Sequence, residues 1–103
     1  MLRLSQIIEN KVTRALGRAF PEFVEDSRKK GIKVDPQLGP ATKPEFGDFQ
    51  VNCALVLAKK LQNSPREIAS TIVKELKADE EFLSLSTNAE IAGPGFINIT
   101  LKP

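Results

Sequence analysis

Residues 89–101, with the sequence AEIAGPGFINITL, decide the fold class of this chain. Every second residue from Ile97 to Leu101 is apolar, and a period of two is typical of a strand with one buried and one open face. The Gly-Pro-Gly segment at residues 93–95 precedes this alternation and predicts a turn between two strands. The segment therefore predicts a C-terminal β-hairpin.

The N-terminal region begins with a predicted amphipathic helix over about residues 2–20. Apolar side chains recur every four residues from Leu4 to Phe20, which is the spacing of one helical face. Leu2 is the predicted first residue of this helix, and Pro21 marks its end. Residues 25–31 are polar and end in glycine, which predicts a loop or a short helix.

The segment at residues 32–44 has a different character from the helix before it. Its apolar residues lie two to four positions apart and three prolines are interleaved with them. Proline has no backbone N–H to donate to a neighbouring strand. We therefore expect a short strand near residues 34–38, at the edge of a sheet.

Two further helices are predicted between this strand and the hairpin. Asp48 is a candidate N-cap for the first of them, which continues through residues 51–61 and is apolar enough to be central and deeply buried. Residues 64–67 (SPRE) have the serine, proline and glutamate of a capping box, so the second helix begins there and continues to Lys77. Residues 79–81 are expected to be a polar loop.

The order helix, short strand, two helices, hairpin predicts an α+β fold. We expect a small antiparallel sheet of three to four strands, including the hairpin, packed with three or more α-helices. The chain has 103 residues and a mass of 11.3 kDa. A chain of this size forms one hydrophobic core, so residues 1–103 are predicted to be a single domain.

The composition excludes several kinds of active site. The chain has no His, Trp or Tyr and only one Cys. A Ser-His-Asp triad and a Cys-His pair both need imidazole, and most zinc sites need several Cys or His ligands. Cys53 lies in an apolar run and is predicted to be a reduced core thiol. We therefore predict no catalytic, cofactor-binding or metal-binding residues.

The charge and hydropathy of the chain limit its partners. A net charge of +2 permits nucleic-acid binding but does not require it. No apolar run approaches the 18 residues that suggest a membrane span, and the first residues lack the pattern of a signal peptide. We expect no membrane partner and a cytoplasmic location.

An aromatic and a carboxamide side chain make the hairpin a candidate binding surface for RNA. Phe96 and Asn98 are two residues apart, so they project from the same face of the predicted strand. An aromatic ring stacks on an unpaired base, and a carboxamide hydrogen-bonds to its edge. Gly93 and Gly95 allow a ligand to approach the turn closely. Alternatively, Phe96 packs on a helix and Asn98 is a solvated strand residue.

Basic side chains on the first helix are a second candidate. Arg14 and Arg18, together with Lys11, recur at spacings of three and four and therefore lie on one side of the predicted helix. This side could face phosphates, although a solvated helix surface explains the same pattern. The basic run at residues 28–30 has the same two explanations.

Two stretches of the chain, residues 43–69 and residues 90–101, together resemble a known family. The strings FGDFQ at residues 46–50 and AGPGFIN at residues 92–98 are specific, and their order and separation are similar to those of the N-terminal additional domain of arginyl-tRNA synthetase. The resemblance covers most of the chain. It is weak over residues 21–35.

The resemblance implies a function in tRNA binding. The family enzyme is a class I synthetase that joins arginine to tRNA using ATP and Mg²⁺, and its N-terminal α+β domain contacts the tRNA D-loop. The positions that meet a D-loop base in the family correspond to Phe96 and Asn98. The position of Ala92 has no polar side chain here, so any contribution must come from its backbone. The implied partners are tRNA(Arg) and the remainder of the synthetase, with no DNA.

The chain also departs from the complete synthetases that it resembles. The ATP-binding motif of the His-x-Gly-His type, the later lysine-containing loop and the helical anticodon-binding domain are all absent from it. We therefore expect residues 1–103 to be one domain of a longer synthetase, unable to charge tRNA alone. A structural or protein-interaction domain and a free-standing RNA-binding module are the alternatives.

Overall fold

The structure, a computed structural model, describes residues 3–102. Leu2, the predicted start of the first helix, and the end of the predicted domain at Pro103 lie outside the described residues. Within them the chain forms five α-helices, four strands and one 3₁₀ turn. These elements are α1 (Leu4–Ala19), α2 (Pro21–Lys29), β1 (Leu38–Pro40), the 3₁₀ turn (Pro44–Phe46), β2 (Phe49–Val51), α3 (Cys53–Leu61), α4 (Pro65–Lys77), α5 (Glu80–Leu85), β3 (Ser86–Ala92) and β4 (Phe96–Leu101).

The four strands form one antiparallel sheet in the order β1-β2-β4-β3. This confirms the predicted α+β class, the small antiparallel sheet and the C-terminal hairpin. The three-residue strand β1, which ends in Pro40, lies at the edge of the sheet, as its proline leads us to expect. Its position is later than predicted, since residues 34–37 are not paired and the strand begins at Leu38.

One face of the sheet packs against the helices and forms the core. Ile97 and Ile99 of β4 are fully buried there, together with Val51 of β2. Helix α4 packs on β3 and β4, α1 packs along α4, and the buried residues of both helices belong to the same core. Leu101 was predicted to share this buried face, but it lies at the margin of the core and is only partly buried.

The predicted break at Pro21 separates two helices. The first helix ends at Ala19, and proline then occupies the first position of α2, where its missing N–H costs nothing. The polar stretch after it is the C-terminal part of this short helix, so the helical alternative for residues 25–31 is confirmed as far as Lys29. Gly31 follows the helix with a φ of 72°.

Asp48 does not cap a helix, and this sequence prediction is wrong. Strand β2 intervenes at Phe49–Val51, and α3 begins only at Cys53 with Asn52 before it. The Oδ2 atom of Asp48 accepts a hydrogen bond from the backbone N–H of Leu101 at 2.8 Å. The carboxylate therefore holds two strands together, a partnership between residues far apart in sequence.

Helix α3 is amphipathic, so the prediction that it is central and deeply buried is wrong for one of its faces. Cys53, Ala54 and Leu57 enter the core, but the Val56 residue is 53% exposed. The run of apolar residues is longer than the face that α4 covers. A short helix at the margin of a small domain has too few neighbours to be enclosed.

The capping signal at the start of α4 is confirmed for its serine. Ser64 Oγ accepts a hydrogen bond from the backbone N–H of Glu67 at 3.2 Å.

The polar stretch at residues 79–81, predicted as a loop, is instead the start of α5. The Oδ1 atom of Asp79 accepts hydrogen bonds from the backbone N–H groups of Glu81 and Phe82, which is the geometry of an N-cap.

Cys53 is predicted to be chemically inert in the folded chain. It is at the first position of α3, where a helix dipole favours a thiolate, but it is 1% exposed and its burial raises the pKa of the thiol to about 12. We expect iodoacetamide at pH 8 to leave Cys53 unmodified in native conditions and to alkylate it in 6 M guanidinium chloride. Mass spectrometry measures both, and rapid alkylation of the native chain would contradict this burial.

Candidate nucleic-acid interface

The second face of the sheet projects away from the core and is here called the open face. Its side chains alternate along the strands with the buried ones. Four of these residues, one from each strand, are cross-strand partners and form a row across the sheet. The row runs from Gly39 through Gln50 and Asn98 to Glu90. Phe96 and Thr100 lie on either side of Asn98 along β4.

Phe96 begins β4 and lies against the turn. Its ring atoms Cδ2 and Cε2 would be 3.5 and 3.7 Å from a Cβ atom added to Gly93. The residue is partly exposed and does not belong to the core. A partly exposed aromatic ring is a surface on which an unpaired base can stack.

Asn98 is not the freely solvated residue that an open strand face suggests. It is only 6% exposed, although it alternates along β4 with core residues. The neighbour from β2 is hydrogen-bonded to it: Gln50 Nε2 donates to Asn98 Oδ1 at 3.2 Å. The carboxamide is therefore held in place before any ligand arrives.

The turn that carries Phe96 is anchored to the N-terminus of α4. A Cβ atom on Gly95 would lie 2.7 Å from Pro65 Cβ and 3.1 Å from its carbonyl oxygen, so only glycine fits there. Arg66 donates from Nη1 to the carbonyl oxygen of Gly93. The carbonyl of Ala92 accepts from the Gly95 N–H at 3.3 Å, so its backbone closes the turn.

The structure does not bring the predicted basic residues to this turn. Arg18 donates to the Glu75 carboxylate and carbonyl at 3.1 Å, near the C-terminal end of α4. Residues 66 and 75 are about 14 Å apart along a helix that rises 1.5 Å per residue. Arg14 is exposed on the same helix as Arg18.

Lys11 is not available to phosphates, which corrects its predicted grouping with these arginines. It is buried, and its Nζ atom lies 3.3 Å from Asp79 Oδ2 and 3.2 Å from Glu81 Oε1. A different basic side chain, Arg66, is the one that hydrogen-bonds to the turn within residues 3–102.

The chemistry available at the open face is that of recognition. Residues 3–102 contain no cluster of three or more Cys, Asp or Glu side chains able to hold a metal ion. No helix in the same range is long and apolar enough to cross a membrane. An aromatic ring beside two carboxamides provides stacking and hydrogen bonding, the interactions that bind an unpaired base.

A family model described as the arginyl-tRNA synthetase N-terminal domain matches residues 5–101. This chain belongs to that family. Curated relatives agree: it is 52% identical over its whole length to an arginine–tRNA ligase of Prochlorococcus marinus (strain MIT 9313), and 52% identical to one of Synechococcus sp. (strain RCC307). The chain spans only 17% and 16% of the length of these two ligases.

Solved structures share the fold of this synthetase N-terminal domain. An arginyl-tRNA synthetase from Plasmodium falciparum superposes with a TM-score of 0.74 at 20% identity, covering 96% of this chain and 16% of that one. The synthetase from Thermus thermophilus has a TM-score of 0.67 at 24% identity, covering 97% and 14%. At these identities the likeness establishes the fold alone.

Two residues of the site were not predicted from the sequence. Gln50 lies within the FGDFQ string, but its pairing with Asn98 depends on β2 lying next to β4. Arg66 follows the N-cap of α4 and looks like an ordinary surface residue of a first helical turn. The strand assignment of residues 49–51 would have signalled the first, but no local pattern signals the second.

Proposed function

We propose that this chain is the tRNA-binding N-terminal domain of an arginine–tRNA ligase, and that its open face contacts the D-loop of tRNA(Arg). Phe96 stacks on an unpaired D-loop base, and Asn98 hydrogen-bonds to the edge of that base. Gly93 and Gly95 shape the turn that presents the ring. The observation that carries the proposal is the accessible ring of Phe96 beside the held carboxamide of Asn98.

The proposal assigns the chemistry to the remainder of a longer chain. The catalytic and anticodon-binding domains join arginine to tRNA there, using ATP and Mg²⁺, in the cytoplasm. The residues of this domain hold the outer corner of the tRNA and so reduce the entropic cost of placing its acceptor end. Exposed Arg14, and to a smaller extent the paired Arg18, contribute attraction to phosphates that depends on salt concentration.

Replacing Phe96 with alanine in the full-length ligase is expected to raise the KM for tRNA(Arg) by about tenfold to a hundredfold. Stacking of one base on an aromatic ring contributes about 1–3 kcal/mol, and this substitution removes that ring. The KM values for arginine and ATP should stay unchanged, since their sites are elsewhere. Steady-state aminoacylation kinetics with a tRNA(Arg) transcript provide the measurement.

Val56→Ala is the matched control, because Val56 is an exposed apolar side chain on α3, outside the open face. It should leave all three KM values at the wild-type level. An unchanged KM for tRNA in the Phe96→Ala enzyme would refute the D-loop contact. An equal rise in both variants would attribute the effect to a general loss of stability.

A further inference from the structure

A lone asparagine on a sheet surface can present either its oxygen or its nitrogen to a ligand. The two groups are nearly identical in shape, and rotation by about 180° about the last side-chain bond exchanges them. One group accepts hydrogen bonds and the other donates them. What Asn98 can recognise therefore depends on what holds its carboxamide.

Gln50 holds the oxygen of this carboxamide. Strand β2 pairs with β4 so that Gln50 is directly opposite Asn98, and Gln50 Nε2 donates to Asn98 Oδ1 over 3.2 Å. A Cβ atom added to Gly39, the next residue in the row, would have no heavy atom within 4 Å. The sheet surface is therefore open on the β1 side of Gln50.

Glu90 favours the same orientation from the other side. It is opposite Asn98 on β3, where facing Cβ atoms are about 4.5–5.5 Å apart. An ionised carboxylate only accepts hydrogen bonds, so it favours the Nδ2 group of Asn98 on its side and disfavours the oxygen. Both neighbours in the row therefore select one orientation of the amide.

The polar group that Asn98 keeps free is a donor. Its oxygen is occupied by Gln50, whereas its Nδ2 group has no hydrogen-bond partner among residues 3–102. We propose that Gln50 is a positioning residue that fixes the Asn98 amide so that the site donates to an acceptor atom on the edge of the base. This inference rests on the proposed D-loop contact and adds that Asn98 is the donor, and the base the acceptor, in that contact.

The Gln50→Glu variant tests the polarity, because it has nearly the same shape but no hydrogen to donate. Asn98 then lies between two carboxylates, the new one and Glu90, and neither can donate to its Oδ1. Gln50→Met retains the bulk and also removes the donor to Oδ1. Both variants should therefore abolish the preference between acceptor and donor atoms on the base.

The probes are pairs of tRNA(Arg) transcripts that differ at one unpaired D-loop position. One pair has cytidine or uridine at that position, and the other pair has adenosine or inosine. Each pair exchanges an acceptor and a donor on the edge of a base of similar shape. At the contacted position the full-length wild-type ligase should prefer one member by about tenfold in kcat/KM. Gln50→Glu and Gln50→Met should both show no preference.

Gln62→Glu is the control for added negative charge, because Gln62 is exposed at the end of α3. It should keep the wild-type preference. The inference is overturned if both Gln50 variants keep the wild-type preference, or if the wild-type enzyme has none at any D-loop position. If Phe96→Ala raises the KM for tRNA in either of those cases, the D-loop contact stands and only the role of Gln50 is wrong.

Discussion

Replacing Gly47 with alanine is expected to lower the free energy of unfolding of this domain by about 2–6 kcal/mol. Gly47 has a φ of 107°, and strain of this kind in a residue with a Cβ costs about 1–3 kcal/mol. The new Cβ would also lie 2.8 Å from the carbonyl oxygen of Ile99. Overpacking adds about 1–3 kcal/mol, because a backbone oxygen in a paired strand cannot turn aside.

Equilibrium urea denaturation of the variant and the parent chain measures this change. Gly39→Ala is the matched control. Gly39 lies in β1, and a Cβ atom added to it would meet no heavy atom within 4 Å. We expect the control to change the free energy of unfolding by less than about 0.5 kcal/mol, as surface substitutions generally do. Equal changes in the free energy of unfolding of the two variants would show that the close approach of Gly47 to β4 does not contribute to stability.

Replacing Asp79 with alanine is expected to destabilise the domain by about 3–5 kcal/mol. The Lys11 side chain is only 9% exposed, and Asp79 is the less exposed of its two acidic partners. Removing Asp79 leaves the buried Lys11 ammonium with only the exposed Glu81 as a partner, and this poorly compensated buried charge accounts for most of the loss. Asp79 also caps α5, and loss of a cap adds about 0.5–2 kcal/mol.

Three variants separate the two contributions of Asp79 in urea denaturation. Asp79→Asn keeps an acceptor for the cap and should cost less than alanine, whereas Lys11→Met combined with Asp79→Asn should regain part of the loss. Glu81→Gln should cost less than about 1 kcal/mol, because the Glu81 side chain is 65% exposed. If Glu81→Gln is as damaging as Asp79→Ala, the assignment of the ion pair is wrong.

The pH dependence of Asp79 has a definite sign. Burial raises the pKa of this carboxyl, but the Phe82 N–H and the Lys11 ammonium lower it by more, so the folded-state pKa lies below the ordinary value. A carboxyl with a lowered pKa stabilises the fold above its unfolded-state pKa and loses this contribution as the pH falls through its folded-state pKa. The difference between wild type and Asp79→Asn should therefore shrink below about pH 4.

Local patterns were sufficient to predict most of the elements. The hairpin follows from the alternation at residues 97–101 and the preceding glycines, and α4 follows from the SPRE segment. Both signals act over a few residues, so no distant contact is needed to interpret them. Asp48 was misassigned for the opposite reason: as a local pattern it resembles an N-cap, but its partner is the N–H of Leu101.

The candidate site was predicted only in part from the sequence. That Phe96 and Asn98 share one face follows from their separation of two residues on one strand, which is a local property. The cover over Asn98, its hydrogen bond to Gln50 and the separation of Arg18 from the turn all depend on which elements are neighbours in space. Gln50 and Asn98 are 48 positions apart in the chain, and Arg18 and its partner Glu75 are 57 positions apart, so no periodicity connects either pair.

The sequence by itself determined the α+β class, the hairpin and the two residues that face outward from it. These features depend on hydrophobic periodicity and turn chemistry, which act within about ten residues. Only the tertiary structure decided that Gln50 lies beside Asn98, that Arg66 holds the turn and that Lys11 is buried in an ion pair. Such partners are chosen when the sheet closes on the helices, because the order of strands in space differs from their order in the chain.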